Sequence, residues 1–144
     1  MWLDRVLASP TRNAIELAAK FAEQRHLVLV ENVANIDTPD YQSRRLDAQR
    51  FQSALREALD QSRRSGQSEL AIADRQVRVD REGRLRVKPE VEPAENLLFH
   101  DGTNARLESL MTDVQDNAMT YDLTTSLLKS RFESLLVAIR GRST

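Results

Sequence analysis

Residues 107–139 read LESLMTDVQDNAMTYDLTTSLLKSRFESLLVAI. Leu107, Met111, Val114, Ala118, Tyr121, Thr125, Leu128, Phe132, Leu135 and Ile139 recur there at alternating spacings of four and three. All but Thr125 are apolar or aromatic. A period of 3.5 residues keeps one seam facing a partner helix and implies a left-handed supercoil. Thr103 or Asn104 can cap the start of this helix. Gly141 is a natural stop, and Arg140 and Arg142 sit where cations suit a helix C-terminus. The helix spans roughly 50 Å at the usual rise per residue.

The N-terminal third supplies a partner. Ile15, Ala19, Ala22, His26, Leu29, Val33 and Ile36 repeat the same spacing. Ser9 before Pro10 reads as a cap followed by a proline in the first turn. Ala19 and Ala22 allow close approach but bury little area. The expected fold is therefore mainly α: an antiparallel pair of long N- and C-terminal heptad helices forming a coiled coil, with a small central segment. Residues 1–36 and 104–141 form the paired helices, the assembly core. Residues 37–103 hold a turn, a short helix, a hairpin and a connector. With Ile36 near Leu107, equal rise places His26 beside Ala118. Neither end can bury its stripe alone and the middle is small, so most of the core is expected to form on assembly.

In the middle, Ala48, Phe51, Leu55, Ala58 and Leu59 fit one face of a short helix that Gly66 ends at the latest. Val77-Arg78-Val79 and Leu85-Arg86-Val87 flank a Gly-containing turn and read as a β-hairpin. Pro89 and Pro93 bracket an acidic connector.

Composition narrows the function. The 144 residues fit one domain, 40% are hydrophobic and 30% charged. Aromatics are few, so large aromatic anchors are not expected to dominate the packing. Net charge is −1, which gives no general attraction to nucleic acid or membrane. Arg75 to Lys88 has a local basic excess but no stacking aromatics, so nucleic acid is not an expected partner. The absence of cysteine excludes disulfides and thiolate chemistry. No apolar run is long enough for a membrane span. Asp4 and Arg5 interrupt the apolar core that a secretory signal needs.

His26 and His100 are the two histidines. His26 lies on the N-terminal seam as a packed helix residue, and His100 in a turn before the last helix. His100 and Asp101 do not make a metal site without further ligands. No acid, base and nucleophile set can be assembled, and no phosphate-binding loop is present. The expectation is a chain without catalytic residues, cofactor or metal.

Asn32-Val33-Ala34-Asn35-Ile36-Asp37-Thr38-Pro39-Asp40-Tyr41 closes the first helix. Asn35 can take a left-handed conformation, Pro39 cannot continue a helix, and Thr38 before it is pushed to extended backbone. Tyr41 offers an aromatic face to the helix pair. These residues, with Asn32, Asn35, Thr38, Pro39 and Tyr41 as the turn motif, resemble the Asn-x-Ala-Asn-x-x-Thr-Pro-Gly-Tyr signature of bacterial flagellar rod and hook proteins. Asp40 stands where that signature has Gly, which points to a type I turn. Asn96 to Asn104 and Tyr121…Leu127-Leu128…Ala138-Ile139…Gly141 are similar to the proximal rod members of the family.

The resemblance implies a structural subunit of the proximal rod, in the periplasm, that transmits torque and lines the export channel. It implies export by the flagellar type III apparatus without a cleaved signal peptide. The implied partners are other copies, companion proximal rod proteins, the adaptor between MS ring and rod, and the export gate. A companion proximal rod subunit and a soluble coiled-coil chaperone or regulator are the alternatives.

Overall fold

The computed structural model describes residues 9–92 and 102–141. Expectations for Asp4 and Arg5, for Pro93, for His100 and the residues around it, and for Arg142 lie outside them.

Helix α1, Pro10–Ala34, begins as its proline dictates, with Pro10 in the first turn. The Ser9 side chain does not cap it; the Ser9 carbonyl instead accepts the Asn13 N–H at 3.0 Å. The helix carries two apolar columns rather than one. Ala19, Ala22 and Leu29 are buried on the expected seam. Ala14, Leu17, Phe21 and Val28 are buried in a core cluster that the heptad reading did not contain. Adjacent columns make a face too wide for a single partner, so α1 lies between two layers.

The first layer is the central segment. Strand β1 is Arg44–Arg45, and helix α2 is Ala48–Ser65. Asp47 caps α2 by accepting the Arg50 N–H at 3.1 Å, and Gly66 closes it at φ 69°. Strands β2, Val77–Val79, and β3, Leu85–Val87, form the expected antiparallel hairpin, with Val77 opposite Val87. Strand β4, Glu90–Val91, pairs antiparallel with β1. That second ladder has two residues per strand, too few for any sequence period. Gln76 joins the two ladders: its side chain accepts the Asp47 N–H at 2.9 Å and donates to Glu90 at 3.0 Å.

The core sits between α1 and this layer. Leu46 is 1% exposed, and Phe51, Leu70, Ile72 and Val77 are buried around it. Phe21 and Phe51 stack with ring centroids 4.0 Å apart and planes within 5°. A core thus exists within one chain before any assembly, with one phenylalanine from each layer stacked inside it among mainly aliphatic residues.

In the hairpin turn, Asp80 accepts the Glu82 and Arg84 N–H groups at 3.1 and 2.8 Å. It also accepts both the Arg84 and Arg86 guanidinium groups, at 3.0 and 3.1 Å. Desolvation pushes its carboxyl up, but the Arg84 N–H and the two arginines outweigh this and hold it far below the usual carboxylate range. A depressed folded pKa stabilises above the unfolded value, near 4, and the gain is lost as pH falls toward the folded value. Asp80→Asn should therefore lower the melting temperature at pH 7. The gap between parent and variant should narrow at pH 3, and thermal melts at the two pH values check this.

The second layer is helix α3, Gly102–Arg140, which runs antiparallel to α1. Asn117 meets Ala22, Arg25 meets Asp113, and Arg12 lies 6.0 Å from the Phe132 ring. The backbone is already helical at Gly102, so Thr103 and Asn104 are inside the helix rather than at its cap. Gly141 follows the last turn at φ 66°, as expected of a stop. The architecture is mainly helical, with the terminal helices flanking a small central segment.

Candidate functional site

Asn35 does not take the left-handed conformation expected of it; its φ is −109°. It ends α1 with its side chain instead. Its N–H and its amide both donate to the Glu31 carbonyl, at 3.1 and 2.9 Å. The Thr38 N–H then donates to the Asn35 carbonyl at 3.0 Å, and the Thr38 hydroxyl to the Asn35 side-chain oxygen at 3.3 Å.

The left-handed residue is Asp40, at φ 60°. The Tyr41 N–H donates to the Thr38 carbonyl at 3.3 Å, with Pro39 second in the turn and Asp40 third. Proline followed by positive φ is the type II pattern, not the type I turn expected for Asp. Asp adopts here what glycine does more freely, and it is among the few side chains that tolerate it. Asp40→Val should lower stability by about 1–2 kcal/mol, since Asp40 is exposed and only backbone strain changes. Asp40→Gly should lie within about 0.5 kcal/mol of the parent. Urea unfolding of the three chains measures both.

Beyond the turn the chain is clamped back on α1 by Asn32, which is 2% exposed. Its amide donates to the Arg44 carbonyl at 2.7 Å, and its oxygen accepts the Arg44 N–H at 3.0 Å. The side chain thus pairs with Arg44 as a neighbouring strand would. The same oxygen accepts the Tyr41 hydroxyl at 3.1 Å, so Tyr41 is held by its polar end as well as its ring. Glu31 pairs with the Arg44 guanidinium, and Arg106 of α3 donates to the buried Ser43 hydroxyl. Residues 31–32 of α1, 41–44 beyond the turn and Arg106 of α3 are thus gathered at one end of the helix pair.

The helix-pair residues divide. Ala19, Ala22 and Leu29 are buried, and Ile15 and Val33 are half-buried. His26, expected to be packed on the seam, is exposed. On α3, Val114, Leu128 and Leu135 are half-buried, but Leu107, Met111, Ala118, Tyr121, Phe132 and Ile139 are exposed. The column turned toward α1 is Leu110, Asn117 and Thr124, all buried. Asn117 donates to the Ala22 carbonyl at 2.7 Å, and Thr124 returns its hydroxyl to the Thr120 carbonyl at 2.8 Å. Two polar residues can line this seam because each satisfies its own hydrogen bonds. A search for apolar residues alone therefore misses the inward column and moves the register with it: Ala22, not His26, lies beside the middle of α3.

No family model matches this chain. It is 28% identical over 132 residues to the flagellar basal body rod protein FlgB of Borrelia hermsii, covering 88% of this chain and 96% of that protein. It is 25% identical over 132 residues to the FlgB protein of Salmonella typhimurium, covering 86% and 88%. The chain is FlgB-like along most of its length.

The outer surface of α3 in this FlgB-like chain mixes charged and apolar residues. Met119, Leu123 and Leu127 recur there at spacings of four and are exposed, Met119 by 70%, and Leu136 and Val137 are exposed nearer the helix end. Among the described residues no group of three or more histidines or carboxylates is placed to hold a metal ion. None of the described helices is long and apolar enough to cross a membrane.

Arg25, Ser43, Arg44, Asp113 and Asn117 belong to this site and were not singled out from the sequence. Asn117 sits one residue off the repeat, next to Ala118, where nothing in the spacing marks it. The others bond main chain or distant side chains, which leaves no spacing to read.

Proposed function

We propose that the chain is a structural subunit of the proximal rod of the bacterial flagellar basal body, in the periplasm, that transmits torque and lines the export channel. The two FlgB relatives support a structural role in the basal body rod. That likeness over most of the chain is the observation that carries the reading. The exposed apolar residues of α3 suit a subunit that finishes burying its surface against neighbours. The clamped exit from α1 suits a part that must hold its shape under load. The role needs no catalysis, cofactor or metal.

Its partners are other copies of itself, companion proximal rod proteins, the adaptor joining MS ring to rod, and the flagellar export gate. The chain reaches them by the type III export route, without loss of a signal peptide. Deletion of its gene in the source bacterium should leave cells non-motile, with basal bodies that stop before the rod. Restoring the chain should restore both. Motile cells with complete rods in the deletion strain would overturn the reading.

A further inference from the structure

The buried centre of the α1–α3 seam is poor in apolar register information. It holds Ala19, Ala22, Asn117 and Thr124, and larger apolar residues such as Leu29, Leu110 and the half-buried Leu128 lie beside it. Alanines one turn apart present nearly the same surface and bury little area, so that centre hardly distinguishes registers one turn apart. Two polar contacts do not slide.

Asn117, 3% exposed, donates to the Ala22 carbonyl at 2.7 Å. Moving α3 by one turn brings Asp113 or Tyr121 to that place. The first sets a carboxylate against a carbonyl, and the second sets a phenol ring against the small residues that allow close approach. Arg25 donates to Asp113 at 2.8 Å with its side chain only 14% exposed. The same slide replaces Asp113 by Ser109 or Asn117 and leaves a nearly buried guanidinium without its carboxylate, which is costly.

Arg25 has a second bond. Its Nε donates to the Leu46 carbonyl at 3.2 Å. Leu46, 1% exposed, belongs to the core and directly precedes Asp47, the cap of α2. One cation thus joins α1, α3 and the point where the chain enters the central layer.

We propose that Asn117 and the Arg25–Asp113 pair set the register of the α1–α3 pair, and that Arg25, through the Leu46 carbonyl, ties the orientation of the central segment to that register. Polar groups in a helix seam specify alignment in this way where apolar side chains do not. The inference is independent of what the helix pair docks against.

The chain has no cysteine, so spin labels can be placed without ambiguity. Glu23→Cys with Gln115→Cys reports the helix register, and Gln61→Cys with Gln115→Cys reports the orientation of α2; all three positions are exposed. Each pair in the full-length parent should give one narrow distance. Asn117→Leu with Arg25→Met and Asp113→Leu should keep the helix signal in circular dichroism. In that variant the first pair should gain a population displaced by about 5 Å, one helical turn. A single unchanged distance overturns the proposal.

Should that variant lose its helices, the exchange Arg25→Asp with Asp113→Arg decides. Opposite charges still meet, so the register pair stays narrow. The carboxylate at 25 cannot donate to the Leu46 carbonyl, so the orientation pair broadens. If both pairs stay narrow, or both broaden, the proposal is wrong.

Discussion

Leu128→Asp combined with Phe132→Asp should abolish incorporation into the proposed rod while the free subunit stays helical. Leu128 is half-buried and Phe132 is 47% exposed in the single chain. Phe132 meets solvent and the Arg12 guanidinium, so an aspartate there is hydrated and near a cation. The loss of free-chain stability is set mainly by Leu128 and should be about 1–2 kcal/mol. In the proposed rod wall the same face would be covered, and an unpaired charge held there would cost several kcal/mol. Expected are near-parental circular dichroism, near-parental protein levels and basal bodies lacking the variant. Normal motility of cells carrying the double variant contradicts this.

Asn32→Ala should be the most damaging single change at the turn. It removes one donor and one acceptor that together satisfy three groups: the Arg44 N–H, the Arg44 carbonyl and the Tyr41 hydroxyl. Each buried group left without a partner costs about 1–3 kcal/mol, partly recovered by water at the half-buried ones. A total near 3 kcal/mol is expected from urea unfolding. Basal-body recovery should fall with it, because β1 loses its hold on α1. Asn35→Leu with Pro39→Ala acts on the exposed rim of the same turn. It should leave helix content nearly unchanged and still lower assembly, by freeing the exit direction of the chain. Intact assembly with reduced helicity would make the motif a helix stop and nothing more.

The helices were legible because long amphipathic periods survive local exceptions. Pro10, Gly66 and Gly141 punctuate where their backbone preferences require. The hairpin was legible because Gly83 separates two alternating triplets. What escaped was the side of each helix that faces inward. Leu107 to Ile139 has apolar residues on more than one face, and the sequence pattern chose the 3.5-residue column that is apolar at every position but Thr125. The folded chain turns Leu110, Asn117 and Thr124 inward and keeps much of the apolar column outside. Apolar periodicity alone does not find an inward column that carries polar residues satisfied by their own hydrogen bonds.

The turn shows a second limit. Asn32, Asn35, Thr38, Pro39 and Tyr41 announced a reversal, yet left-handed backbone fell to Asp40 rather than Asn35, and the partner of Asn32 is Arg44. Those depend on where Arg44 returns in space, which no local preference encodes.

Whether this chain is a subunit of the flagellar rod is decided by a density map of basal bodies isolated from the source bacterium, at a resolution that shows side chains. Density is expected at the base of the rod that fits α1 and α3 as an antiparallel pair, with Asn32 against Arg44 and the Met119, Leu123 and Leu127 face covered by a neighbouring subunit. A complete rod map in which every subunit is traced to another sequence would contradict it.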